Sequence, residues 1–183
     1  RELIMTLENI LIDCKKQLTG ALNYKKHPFR YFTLASTSKD GTPSLRTVVL
    51  RDFCPKKFLL TVFTDARSKK VEEFKSNKMG KFLFYDTSRL IQIIIEVKMI
   101  EVINLDNHFK TLPEPSKKDY TSITKPGTKI QSPDKVKYNY SQNYFRKIIF
   151  QAVNLEYLKL ARPTHIRAFF SYEDKWKGTY LVP

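Results

Sequence analysis

Arg46-Thr47-Val48-Val49-Leu50-Arg51 and, a short hairpin later, Thr64-Asp65-Ala66-Arg67-Ser68-Lys69-Lys70 concentrate more potential chemistry than any other part of the chain. The first run is aliphatic and β-branched, with a guanidinium at each end. Strand alternation puts Thr47, Val49 and Arg51 on one face and Arg46, Val48 and Leu50 on the other. Each face therefore ends in an arginine whose forked N–H donors can grip a phosphate or a carbonyl-rich ring. An edge strand with arginines reaching water accounts for the same residues. In the second run a strand ends at Thr64 and a helix starts with Ser68 in the N-cap position. The free N–H groups of a first helical turn, and the positive end of its dipole, favour an anion. Arg67, Lys69 and Lys70 crowd this point, where acidic residues are normally preferred, and Glu72 and Glu73 offset part of the charge. The two runs together describe an apolar wall beside a dianion-sized pocket, suited to a ligand with a flat apolar body and a phosphate tail.

Elements able to position these groups lie on both sides. Leu7, Ile10, Leu11, Cys14, Leu18 and Leu22 fall at helical spacing and predict an amphipathic helix over residues 3–22. Pro28 ends that pattern. Strands are expected over 30–36 and 44–51, joined at Lys39-Asp40-Gly41, with a third over 57–64 after a Cys54-Pro55-Lys56 turn. A helix over 68–76 follows, then strands over 80–85 and 91–102 and a short helix over 106–112. Residues 113–143 turn polar and carry Pro113, Pro115, Pro126 and Pro133, which reads as an excursion from a single domain spanning 1–183. Strands resume over 148–153, 157–161, 165–172 and 179–182. Many short strands with tight turns predict a mainly β fold, a small antiparallel β-barrel with peripheral helices.

A chain of 183 residues with 42% hydrophobic content can bury its own core. Cys14 and Cys54 form neither a disulfide framework nor a metal-ligand spacing, so no metal site is expected. With no signal peptide or membrane-length apolar run read in the sequence, the expectation is a bacterial-type cytoplasmic protein. The net charge of +15 admits nucleic acid, anionic lipid or phosphorylated small molecules as partners. The lysines are spread along the chain, however, as on a solvated surface. Tyr138, Tyr140, Tyr144 and Phe145 lie among Lys135, Lys137, Arg146 and Lys147, a mixture that can stack bases but also one that can anchor a loop. Loop anchoring is the preferred reading, which ranks nucleic-acid binding behind the alternatives.

The runs Phe29-Arg30-Tyr31-Phe32-Thr33-Leu34-Ala35-Ser36, Gly41-Thr42-Pro43, Arg46 to Arg51 and Thr64 to Lys70 resemble the pyridoxamine 5′-phosphate oxidase family, more narrowly its related FMN-binding split-barrel flavoproteins. The likeness continues through Phe82-Leu83-Phe84-Tyr85-Asp86 and Gln92. It is weaker at Lys125-Pro126-Gly127-Thr128 and from Trp176 to Pro183. The resemblance implies an FMN-binding split barrel in which Arg46, Thr47, Val48, Val49, Leu50 and Arg51 lie along FMN. Phe63 and Thr64 would contact the flavin, Arg67, Ser68, Lys69 and Lys70 would surround its phosphate, and Gln92 would hydrogen-bond the ring or ribityl chain. Arg51, His165 and Arg167 would meet a small-molecule substrate, phosphorylated or not. It further implies a homodimer with FMN at the interface, and an oxidoreductase passing hydride from substrate to flavin N5.

Parts of the family pattern are missing. No arginine–proline pair with a serine for a substrate phosphate stands between Asp119 and Gln151. Tyr157 aligns near the family's flavin-stacking tryptophan, Phe169 stands where an arginine is expected, and Val97 replaces a glycine. No acid or histidine is identified as catalytic; of His27, His108 and His165, only the last has family support for a role. These departures bear on turnover more than on cofactor binding. The alternative is accordingly a non-catalytic flavin- or anion-binding split-barrel module.

Overall fold

The structure, a computed structural model, describes residues 5–183. Helix α1 (Leu7–Asn23) matches the helix expected over residues 3–22 from Leu7 onward; Met5 and Thr6 precede it, and residues 3 and 4 lie outside the described residues. Its start is set by Thr6, whose Oγ1 accepts the Asn9 N–H at 3.2 Å. Its apolar stripe buries Ile10, Cys14, Leu18 and Ala21 against the sheet.

Nine strands follow: β1 (Tyr31–Thr37), β2 (Pro43–Val49), β3 (Asp52–Cys54), β4 (Leu59–Asp65), β5 (Met79–Asp86), β6 (Ile91–Ile103), β7 (Phe145–Lys159), β8 (Ile166–Ser171) and β9 (Gly178–Leu181). Helix α2 (Lys69–Ser76) joins β4 to β5. Helices α3 (Asp106–Thr111) and α4 (Glu114–Lys118) lead into the polar excursion. Two differences from the sequence reading are instructive. The strand expected over 44–51 stops at Val49, because Leu50 N–H donates to Arg30 O and Arg51 N–H to Thr61 O, turning the chain into the short β3. The strands expected over 148–153 and 157–161 are one strand, β7, whose ladder with β6 absorbs register shifts at Glu96/Val97 and Met99/Glu101.

The ladder runs β2-β1-β5-β6-β7-β4-β3, with β8 and β9 branching from β7. Its two ends, β2 and β3, are consecutive in sequence, so the sheet curls into a barrel whose seam lies between β2 and β4. Alternation separates two faces. Phe32, Leu34, Phe82, Phe84, Ile93, Ile95, Leu155, Tyr157, Ala168 and Phe170 point inward and are at most 3% exposed. The paired register puts Thr47 and Val49, Tyr31 and Thr33, Leu83 and Tyr85, Gln92 and Ile94, Glu156 and Leu158, and Arg167 and Phe169 together on the outer face.

A smaller core of Phe109, Tyr120 and Phe145, with Phe63 and Leu112 packed on it, holds the excursion against the barrel. Within the excursion a Ser122–Tyr138 bridge and a 3₁₀ turn, Pro133–Lys135, supply the regular structure.

Candidate functional site

At the seam the β ladder does not continue, and a cavity of about 300 Å³ opens there. Thr47, Val48, Val49 and Arg51 form one wall, Phe63, Thr64, Asp65, Ser68 and Lys70 the other, and Asp119, Tyr120 and Pro126 close over from the excursion. Two sequence runs far apart in their elements thus meet as an apolar wall and a polar end. Leu50 falls between the wall residues but is 1% exposed and faces the core.

The polar end is built around Lys70. Its Nζ donates to Thr64 Oγ1 at 2.9 Å and Ser68 Oγ at 3.4 Å, and those two hydroxyls are 2.9 Å apart. Ser68 holds the N-cap position of α2 yet makes no side-chain cap, because its hydroxyl turns to Thr64 and Lys70 instead. Burial lowers the Lys70 pKa below the usual lysine value, and the Arg46 charge adds to this; Asp65 and Glu73 counter only part of it. Among the described residues no carboxylate forms an ion pair with Lys70. An ammonium drawn out of water and given only hydroxyl partners is a ready receptor for an anion.

Three other cations of the two runs are already engaged. Arg46 Nη2 donates to Glu73 Oε2 at 2.8 Å, and Lys69 Nζ lies 3.4 Å from Glu73 Oε1. Arg67 grips Asp65 through Nε and Nη2, at 3.0 and 2.7 Å. It also donates to Ser122 O at 2.9 Å and Ile123 O at 3.2 Å, and lies 3.4 Å from the Tyr144 ring centroid. Neither Arg46, Arg67 nor Lys69 lines the cavity. The guanidinium of Arg67 instead fastens the excursion to the barrel, and Asp65 raises its pKa. Three of the four aromatics in the basic-aromatic mix are engaged: Tyr144 lies under Arg67, Tyr138 under Lys118, and Phe145 is fully buried, while Tyr140 is exposed.

Arg51 extends over the Phe63 ring at 5.3 Å, at the end of the cavity where Tyr120 and Asp119 lie. Sequence reasoning missed Asp119, Tyr120 and Pro126, whose positions follow from long-range packing. The weak likeness at Lys125-Pro126-Gly127-Thr128 was the one local signal near them. Glu73 was missed as a site element because an acid in the second turn of a helix looks like ordinary charge compensation.

Three expected residues lie elsewhere in this chain. Gln92 pairs with Tyr85 and Leu158 on the outer face. His165 and Arg167 line a second groove of about 660 Å³ with Met5, Tyr180 and Leu181. There Arg167 is tied to Glu156 at 2.8 Å, and His165 Nδ1 accepts the Ala161 N–H at 3.0 Å. Tyr157, aligned near a flavin-stacking position, is fully buried among core side chains and cannot stack on a ligand.

Residues 13–101, which carry both basic runs, match the family model described as pyridoxamine 5′-phosphate oxidase, FMN-binding domain. Over that segment the chain is similar to the pyridoxamine 5′-phosphate oxidase-related, FMN-binding proteins. FMN is the cofactor this match assigns. The pyridoxine/pyridoxamine 5′-phosphate oxidase of Nostoc punctiforme is 31% identical over 111 residues, which is 60% of this chain and 51% of that protein. A second such oxidase, from Arabidopsis thaliana, is 33% identical over 96 residues, covering 50% and 48%. The chain therefore spans about half the length of these curated relatives. In structure, a pyridoxamine 5′-phosphate oxidase-related FMN-binding protein of Nostoc punctiforme superposes with a TM-score of 0.73 at 17% identity, covering 93% of this chain and 96% of that one. PhzG of Burkholderia lata, solved with tetrahydrophenazine-1-carboxylic acid, gives 0.75 at 16% identity, covering 95% and 92%. These likenesses establish the split-barrel fold.

Proposed function

We propose that this flavoprotein is an FMN-dependent oxidoreductase working as a homodimer, with the cofactor in the seam cavity and its phosphate on Lys70, Thr64 and Ser68. The observation that carries this reading is Lys70, a desolvated ammonium held between two hydroxyls at a helix start. The residues fit the cofactor: an anion receptor at one end, then the wall of Thr47, Val48 and Val49 for a flat ring, with Phe63 opposite. When bound, FMN supplies two-electron chemistry by taking a hydride at its N5. The chain's own residues hold and orient. Thr64, Ser68 and Lys70 fix the phosphate, the β2 backbone and Phe63 position the ring, and Arg51 beside Tyr120 offers a cation to a small-molecule substrate.

A second copy supplies the rest. Thr47 and Val49 share the outer sheet face with Gln92 and Arg167, but β1 and β5 separate them within one chain. The face between carries Tyr31, Leu83 and Tyr85 at 60%, 37% and 42% exposure, with Leu45 at 69% on its rim. An apolar sheet face of this kind marks an association surface. A twofold contact laying β2 of one protomer over β6 and β8 of the other brings the missing residues to the cavity.

No helix among the described residues is long and apolar enough to cross a membrane. Cys14 and Cys54 are free, and we place the protein in the cytoplasm, where thiols stay reduced. A non-catalytic flavin-binding module is the second reading, favoured by the Asp119 carboxylate in the cavity lining, which is unfavourable to an anionic substrate.

The purified protein is expected to show visible flavin absorbance, or to quench FMN fluorescence stoichiometrically, and to scatter light as twice the 21.6 kDa chain. Leu83→Arg should both dissociate the dimer and weaken FMN binding. A colourless protein that does not bind FMN sinks the cofactor assignment to the cavity; a monomer with full FMN affinity sinks the dimer. Turnover of pyridoxamine 5′-phosphate, or its absence with FMN bound, separates the enzyme from the module.

A further inference from the structure

Glu73 is 4% exposed, and its partners lie on β1, β2 and α2, of which β2 and α2 line the cavity. Its Oε2 accepts from Ser36 Oγ on β1 and from Arg46 Nη2 on β2, and its Oε1 accepts from Ser44 Oγ on β2 at 2.7 Å. Lys69, one turn earlier on α2, lies 3.4 Å from the same oxygen. Arg46 Nη1 donates to Ser36 Oγ and to the carbonyls of Leu34 and Ser44, and Arg46 is not among the residues that line the cavity. One carboxylate thus ties the helix that begins with the phosphate cradle to the strand that forms the ring wall.

We infer that Arg46 and Glu73 are a positioning pair: they fix the start of α2 against β2, so that ring wall and phosphate cradle stand at one spacing, and Arg46 does not itself bind phosphate. The inference rests on the FMN reading and goes beyond it. It converts an arginine in the most family-like stretch of the chain from a ligand into a brace. Physically the arrangement is a buried ion pair, whose desolvation largely cancels its attraction, so its value lies in fixing geometry. Burial pushes the Glu73 carboxyl up, but hydrogen bonds from Ser36, Ser44 and Arg46, with the Arg46 charge, outweigh it and hold its pKa at about 2. The charged groups facing it are Arg46 from β2 and Lys69 and Lys70 from α2.

The test compares wild type, Arg46→Met and the double variant Arg46→Met/Glu73→Gln, each titrated with FMN and with riboflavin, which lacks the phosphate. Arg46→Met should weaken FMN about tenfold or more, because it leaves Glu73 a buried unpaired charge, while riboflavin changes by less than about threefold. The double variant, with no unpaired charge, should return FMN to within about threefold of wild type. The deficit of Arg46→Met relative to wild type should also shrink between about pH 7.5 and 5.5, as Glu73, without its guanidinium, takes up a proton more readily. A double variant as weak for FMN as Arg46→Met, with no recovery at low pH, overturns the inference and makes Arg46 a phosphate ligand. If Arg46→Met does not fold, the double variant decides alone on the same two limits. Wild-type protein with no FMN affinity at all refutes the cofactor reading instead, an outcome distinct from these.

Discussion

Lys70→Met should separate two effects that usually travel together, ligand affinity and fold stability. The ammonium donates to Thr64 and Ser68 at 2.9 and 3.4 Å, and among the described residues it has no carboxylate partner. A charge-assisted hydrogen bond to a phosphate is worth about 1.5–3 kcal/mol. Its loss should raise the FMN dissociation constant roughly 10- to 150-fold, with half-burial favouring the lower part of that range. Riboflavin affinity should stay within about twofold, since it places nothing in the cradle. The empty protein should behave oppositely. Burial lowers the folded-state pKa of Lys70 below its unfolded value of 10.5, so the unfolded chain binds more protons between those two values. Stability of the empty wild type therefore rises as pH climbs through that alkaline window, and the ammonium opposes folding below it. Lys70→Met should remove that rise and leave the empty protein at least as stable as wild type at neutral pH. Fluorescence titration with both flavins and urea unfolding without flavin supply the measurements. Equal loss of FMN and riboflavin, or unchanged FMN affinity, would refute the placement of the phosphate on Lys70.

Two further outcomes follow from buried carboxylates. Arg67→Met leaves Asp65, whose side chain is 4% exposed, without its guanidinium, and should cost about 2–4 kcal/mol in urea unfolding, discounted because Arg67 is 20% exposed. It should also release residues 113–143 to trypsin, with new cleavage at Lys129 and Lys135; an unchanged digestion pattern would contradict the fastening role. Glu73 titrates in the folded protein at about 2 against an ordinary 4.5, so its contribution is present above about 4.5 and is lost as pH falls through about 2. That amounts to roughly 3 kcal/mol at most, and the urea midpoint should fall less between about pH 5 and 3 in Glu73→Gln than in wild type. Parallel acid loss in both proteins would mean that Glu73 is not the group responsible.

Features carried by neighbours in the chain were legible without a structure. The alternation of Arg46 to Arg51, the cap position of Ser68 and the hairpin at Lys39-Asp40-Gly41 depend on residues a few positions apart. They were enough for a mainly β barrel and for an anion end beside an apolar wall. Ladder continuity was less legible. Nothing local says that β7 runs unbroken through Asn154, because its ladder with β6 continues only by skipping Val153 on β7 and Ile100 on β6, which the long-range pairing decides. Residues 113–143 gave a correct sense of an excursion but not its contact with the cavity, since Tyr120 reaches it only by packing on Phe145.

Charge identity was set by composition, but charge availability was not. From sequence, Arg67, Lys69 and Lys70 are equivalent cations around one helix start, and Arg46 is a fourth cation at the end of a strand. In the fold, Glu73 takes Arg46 and Lys69, Asp65 takes Arg67, and Lys70 keeps only hydroxyls. The Arg46–Glu73 pair spans 27 positions, and the carbonyls that hold Arg67 lie 55 and 56 positions away. Which guanidinium finds which carboxylate thus depends on where strands and helices come to rest. The chain by itself determined that an anion-binding pocket could form; only the tertiary structure decided which side chain is left free to face it.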